Sequence, residues 1–270
     1  MVSLLRHVHA LLCATLALAA AAADAQQHAD HAEHAEHADQ AAPISADDRA
    51  AAFPDLGGIG HMHLEDPLNR SVLLDRFESQ DDDGNPVAWD LDAWVGRDLT
   101  KLWIRSDGER RDGNTEQADV EILWGKSFAR WWDLLTGVRE ELDPGPDETW
   151  AAVGVRGTAP YRLGLEATAY VGDGGASALR VETHYEVLVT NRWILRPELD
   201  LAWYGQSDPS RGRGAGLAEG DLGIRLRYEI RREVAPYVGV LLARKFGRTA
   251  DLSAGDDDDT RLVAGIRVSF

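Results

Sequence analysis

Leu179-Arg180-Val181-Glu182-Thr183-His184-Tyr185-Glu186-Val187 alternates without a break. In an extended chain successive side chains point to opposite faces. Leu179, Val181, Thr183, Tyr185 and Val187 therefore share one face, and Arg180, Glu182, His184 and Glu186 share the other. Thr190-Asn191-Arg192 turns the chain, and Trp193 opens a second segment of the same kind. Further on, Leu222, Ile224, Leu226 and Tyr228 oppose Asp221, Gly223, Arg225 and Arg227. At the C-terminus Leu262, Ala264, Ile266, Val268 and Phe270 oppose Arg261, Val263, Gly265 and Arg267. A period of two with one apolar and one charged face predicts antiparallel strands, each half in an apolar medium and half out of it.

Outward from that stretch the whole chain after residue 69 repeats the pattern. Twelve segments are predicted: Arg70–Glu78, Val87–Gly96, Lys101–Asp107, Ala118–Gly125, Trp132–Glu141, Thr149–Thr158, Tyr161–Gly172, Ala178–Val189, Trp193–Gly205, Asp221–Ile230, Pro236–Phe246 and Arg261–Phe270. Every second connection is short, like Thr190-Asn191-Arg192. The others tend to be long, Gly-rich and acidic, like Gln206 to Gly220 and Gly247 to Thr260. A soluble sandwich has no reason to sort its loops in this way, whereas an outer-membrane barrel has short periplasmic turns and longer external loops. The predicted fold is all-β: a transmembrane antiparallel up-and-down barrel of about 12 strands over residues 70–270.

Composition agrees by exclusion. The 270 residues carry Lys+Arg 28 against Asp+Glu 46, a net charge of −18, so the basic footprint of a nucleic-acid binder is missing. The mean hydropathy of −0.32 looks soluble. A barrel shows that value too, because only every second strand residue meets lipid. Nine tryptophans, with Trp131, Trp132, Trp150, Trp193 and Trp203 near segment ends, predict interfacial girdles. Phe270 closes the last strand on an aromatic. The opposite face is charged throughout: Asp90, Asp92, Arg105, Glu121, Arg139, Arg162, Glu166, Arg180, Glu182, Glu186, Arg196, Glu198, Asp200, Arg225, Arg227 and Glu229, with the lone His184 among them. Interleaved Arg and carboxylate predict an ion-pair network that narrows the lumen, with His184 a hydrogen-bonded member; passage of a ligand is the sharper alternative.

The N-terminal part is different in kind. Residues 1–25 read as a secretory signal: Arg6, an Ala/Leu run from Ala10 to Ala23, then Ala23-Asp24-Ala25 as the small-x-small cleavage site. The one cysteine, Cys13, lies inside that run, which continues past it and argues against a lipoprotein signal. Residues 26–69 read as a disordered, His-rich periplasmic tail, since their composition supplies no packed core. His28, His31, His34 and His37 head four His-Ala-acid triplets. Imidazole is the commonest metal ligand, and carboxylates between the imidazoles favour a cation. His61-Met62-His63 adds two imidazoles and a thioether, a set suited to copper, because thioether selects Cu(I) and imidazole accepts either oxidation state. A loop entering the first strand, with Met62 packed against it, fits the same three residues.

Several runs resemble the copper resistance protein B family. They are His61–Pro67 followed by Ser71–Glu78, then Lys101–Arg110, Trp132–Arg139 and Ala159-Pro160-Tyr161. The C-terminal third carries Arg225–Glu233, Ala235–Val240 and Arg244–Leu252. The resemblance covers about residues 60 to 270. It implies an outer-membrane barrel acting in copper tolerance, with a metal-binding N-terminal segment in the periplasm. One departure is plain: tails in that family are similar to Met- and His-rich tracts, and here no Met precedes Met62 except the initiator. That leans the tail toward Cu(II) or toward looser selectivity among divalent metals.

The function expected is therefore non-enzymatic: copper binding for resistance and homeostasis, by sequestration or export at the outer membrane. Copper ions and outer-membrane lipid are the expected partners, with a periplasmic copper-binding or copper-oxidising protein as a further candidate. A general porin would need a wide lumen and leaves the His tail without a purpose. An outer-membrane hydrolase would need a nucleophile beside a base, and His184 has no obvious paired serine.

Overall fold

The computed structural model describes residues 45–52, 66–143, 145, 147–253 and 257–270. From residue 69 the chain is one antiparallel meander. Its strands are β1 (Asn69–Gln80), β2 (Val87–Arg97), β3 (Thr100–Arg111), β4 (Asn114–Ala129), β5 (Trp132–Asp143), β6 (Glu148–Ala159) and β7 (Leu163–Gly172). There follow β8 (Ser177–His184, resumed at Val187–Leu188), β9 (Trp193–Tyr204), β10 (Gly216–Tyr228), β11 (Val234–Lys245) and β12 (Asp258–Ser269). Each strand pairs with the next, and β12 returns to β1, with Leu73 opposite Ser269 and Leu74 opposite Val268. Val72 and Phe270 exchange backbone hydrogen bonds of 3.0 and 2.8 Å at the seam. The sheet is a closed 12-stranded barrel without a free edge around its circumference. No helix among the described residues is long and apolar enough to cross a membrane.

Alternation sorts the two faces as the sequence predicts. Leu102, Ile104, Ile122, Trp124, Val138, Val153, Leu179, Leu222, Ile224, Val238 and Leu262 are exposed on the outside. Glu78, Asp119, Glu121, Arg139, Glu166, Glu198, Arg225 and Arg227 are buried inside. In water that arrangement would be inverted; with hydrocarbon as the outer solvent it is the stable one.

Several expectations need correction. The loop-length contrast is weaker than predicted. At the long-loop end only the β9–β10 and β11–β12 connections are extended, and β3 and β4 meet in a bare Asp112-Gly113 turn. Both of its residues have positive φ, 50° and 81°, which a two-residue hairpin requires and Asp-Gly tolerates. The polar run Glu109-Arg110-Arg111 hid this hairpin, because it carries the ladder past the apolar zone. Trp150 is no girdle residue: it is 4% exposed and packs inside the barrel with Trp103, Leu123, Leu135, Ala152 and Tyr170. Trp131 and Trp193 do lie exposed near the short turns. Arg162 is not on the lumenal face, since Tyr161 and Arg162 form an exposed turn at φ 65° and 66° ahead of β7.

The stretch before the barrel is described at residues 45–52 and 66–68. At residues 46–52 the expected lack of structure is replaced by α1 (Ala46–Ala52). Ser45 and Asp48 cap it reciprocally: the Asp48 N–H donates to Ser45 Oγ at 3.0 Å and the Ser45 N–H to Asp48 Oδ2 at 3.0 Å.

Candidate functional site

The seven predicted metal ligands, His28, His31, His34, His37, His61, Met62 and His63, all lie outside the described residues. Within the barrel the functional geometry is that of the lumen.

Its centre is Arg105. The guanidinium holds Glu166 through both nitrogens, at 2.7 and 2.5 Å, and reaches Asp92 at 2.8 Å and Glu121 at 3.1 Å. Arg156 also donates to Asp92, at 2.8 Å, and lies 4.6 Å over the Trp103 ring. Tyr170 donates its hydroxyl to Glu121 at 2.7 Å. A second cluster grips Glu78 on both oxygens through Arg225, at 2.8 and 2.9 Å, with Tyr237 adding a third hydrogen bond at 3.0 Å. Arg225 also holds Glu198. Nearby, Arg196 and Arg267 converge on Asp75 at 2.6 and 2.7 Å. Arg180 pairs with Asp107 at 3.2 Å, and Arg139 pairs with Asp119. Arg105–Glu166, Arg156–Asp92, Arg180–Asp107 and Arg196–Asp75 join strands four or five apart and cross the interior, while Arg139–Asp119 and Arg267–Asp75 brace adjacent strands, so the network narrows the lumen as predicted.

Asp75 and Arg76 were not recognised as lumenal from the sequence. The β1–β2 register shifts between Leu74 and Arg76, and this bulge lets both neighbouring side chains line the interior. A bulge breaks the period of two, so parity cannot find it. Asp107, Asp119 and Arg156, by contrast, are legible from parity in their strands, and the alternation of its segment already places Asp221 on the charged face.

The charges do not balance everywhere. A cavity of about 650 Å³ runs along the lumen. On one side of it Glu166, Glu182, Asp200 and Asp221 stand opposite one another on four successive strands. Glu166 is neutralised by Arg105, and among the described residues Asp200 has only Arg76, at 3.9 Å, as an ion-pair partner. Glu182 and Asp221 have no ion-pair or hydrogen-bond partner among the described residues. His184 faces the same cavity with its ring packed over Gly164, where a Cβ would come within 2.4 Å. Its ring makes no hydrogen bond among the described residues, contrary to its expected place in the network. No set of three or more His, Cys, Asp or Glu among the described residues is arranged to hold a metal ion.

An apolar outer wall around a charged, cross-braced interior defines the class of outer-membrane β-barrels. The family model for "Copper resistance protein B precursor (CopB)" matches residues 68–270, the whole barrel. The chain is 44% identical over 232 residues to a Copper resistance protein B homolog of Pseudomonas syringae pv. tomato, covering 84% of this chain and 78% of that one. It is likewise 44% identical over 232 residues to Copper resistance protein B of Escherichia coli, with the same coverage. The chain belongs to the copper resistance protein B family. Among solved structures, a NanC porin aligns over 75% of this chain and 99% of its own, at 13% identity and a TM-score of 0.49. A KdgM porin aligns over 74% and 99%, at 15% identity and a TM-score of 0.45. Those likenesses are too distant to add to the assignment.

Proposed function

We propose that this chain is a non-enzymatic copper-binding protein that sequesters copper at the outer membrane or helps export it. Residues 1–25 serve as the signal peptide and 26–69 as a periplasmic metal-binding tail, ahead of the barrel at 70–270. The observation that carries the reading is the joint presence, in one chain, of a copper resistance protein B barrel and a His-Ala-acid repeat. The family brings copper as the cargo, and the repeat supplies the densest imidazole set in the sequence. In this reading the short turns face the periplasm, on the same side as the tail. Outer-membrane lipid surrounds the barrel, and a periplasmic copper-binding or copper-oxidising protein is the natural source or recipient of the metal. A lumen crossed by ion pairs speaks against a general diffusion porin.

Replacing His28, His31, His34 and His37 together with Ala should remove most of the copper bound by the full-length protein while the barrel stays folded. Replacing His61, Met62 and His63 should reduce copper tolerance more than total copper bound, since those residues stand next to the first strand in the sequence. Equilibrium dialysis with Cu(II) and Cu(I), alongside growth on copper medium, separates the two contributions. Undiminished copper binding by the four-His variant would make the tail a spacer and overturn its assignment.

A further inference from the structure

The two ends of the lumen are built differently. At the short-turn end the cavity is lined by turn-proximal residues, among them Asp98, Ser127, Arg130, Trp131 and Thr158. At the long-loop end a different set of residues closes over it. The β9–β10 loop sends Arg211 and Arg213 to Glu141, near the end of β5, and Glu141 is only 1% exposed. Arg213 takes both carboxylate oxygens, one of them at 3.0 Å, and its guanidinium lies 4.9 Å over the Tyr204 ring. Arg211 reaches Glu141 at 3.4 Å and Glu148, on β6, at 3.5 Å.

Topology gives these contacts their meaning. The β9–β10 loop and the end of β5 lie four to five strands apart round a ring of 12. A bond between them has to span the mouth. Neither Glu141 nor either of the two arginines lines the cavity beneath.

The loop is also shaped for this position. Asp208 and Arg213 exchange backbone hydrogen bonds of 2.8 and 2.9 Å, and the Asp208 carboxylate accepts from the Ser210 N–H at 3.0 Å. Beside it, α2 (Gly247–Leu252) from the β11–β12 connection supplies Thr249, which is 2% exposed and accepts from the Gly214 N–H at 2.9 Å. A Cβ on residue 214 would sit 2.3 Å from the Thr249 nitrogen, so glycine is needed for the two segments to meet.

We propose that Arg211, Arg213 and Glu141 form a latch that shuts the long-loop end of the barrel, leaving the lumen open from the short-turn end alone until the latch is released. In this state the barrel is a one-ended receptacle, and movement through it requires the β9–β10 loop to swing out. Charge-assisted bidentate bonds suit such a device, because they are strong while made and are lost together when one partner is withdrawn. The latch is built from barrel residues, and the proposal does not rest on the metal-binding reading of the tail.

Single-channel recording of the purified full chain in planar bilayers tests it. The unmodified protein should show little conductance. The Arg211→Gln/Arg213→Gln double variant should show a several-fold larger, stable conductance. Replacing residues 207–214 by a two-residue Asn-Gly turn removes the latch without leaving Glu141 against a mutated partner, and should give the same opening. Heat-modifiable gel mobility verifies that each variant is folded. A folded variant of either kind that conducts like the unmodified protein would make these contacts merely structural and overturn the proposal. A large open conductance in the unmodified protein would overturn it as well.

Discussion

The inner and outer faces of the barrel are made from the same strands, one residue apart, and obey opposite rules. On the outside Val153, Leu262 and Val238 are more than half exposed, and their stability comes from the hydrocarbon around them rather than from protein neighbours. On the inside Glu78, Asp119 and Glu141 are almost fully buried, and each is held by arginine. An ion removed from water costs several kcal/mol unless a well-placed partner compensates it. The outer face therefore needs only a residue type, whereas the inner face needs specific pairs. The difference teaches where substitutions should hurt: outside through polarity, inside through broken partnership.

Three substitutions sharpen that contrast, read by reversible unfolding in detergent or lipid and followed through tryptophan fluorescence. Arg105→Met should have the largest effect, a loss of roughly 3–5 kcal/mol, because it removes the cation shared by Asp92, Glu121 and Glu166. A loss below about 1 kcal/mol would mean that water already compensates those carboxylates, and that the inner face follows surface rules. Val153→Arg, a charge in the middle of the outer wall, should cost roughly 2–4 kcal/mol in a bilayer. An unchanged stability there would place residue 153 outside the hydrocarbon zone. Glu182→Gln has the smallest effect and the opposite sign. Glu182 stands between Glu166 and Asp200 across both strand pairs and has no ion pair within 4 Å among the described residues. Removing its charge should stabilise the barrel by up to about 1 kcal/mol, the scale of a like-charge cross-strand contact. Destabilisation by Glu182→Gln would mean that Arg105 and Arg180 attract this carboxylate more strongly than Glu166 and Asp200 repel it.

The contrast between Arg180 and Glu182 shows how far parity carries. Both lie on the charged face of β8, and sequence alone treats them as equal members of a network. The structure gives Arg180 two aspartates and gives Glu182 no ion pair within 4 Å among the described residues. Parity assigns a face to each side chain. It says nothing of which wall the side chain reaches.

What the sequence determined by itself is the local part. Period-two alternation, the Thr-Asn-Arg turn and apolar residues spaced for lipid locate all twelve strands to within about five residues at either end, because the side-chain direction of an extended chain is a nearest-neighbour property. The matched runs near residues 71–78 and 225–252 carried the family for the same reason, being contiguous. The tertiary structure decided whatever depends on closure. Arg225 meets Glu78 and Arg267 meets Asp75 only because β12 returns to β1 and a bulge turns Asp75 inward. Trp150 leaves the interface for the lumen because its parity points in, whatever its distance from the strand end. Arg213 finds Glu141 only across the mouth of a finished ring. Such contacts join residues far apart in the chain, and no local period encodes which of them will face one another once the barrel has closed.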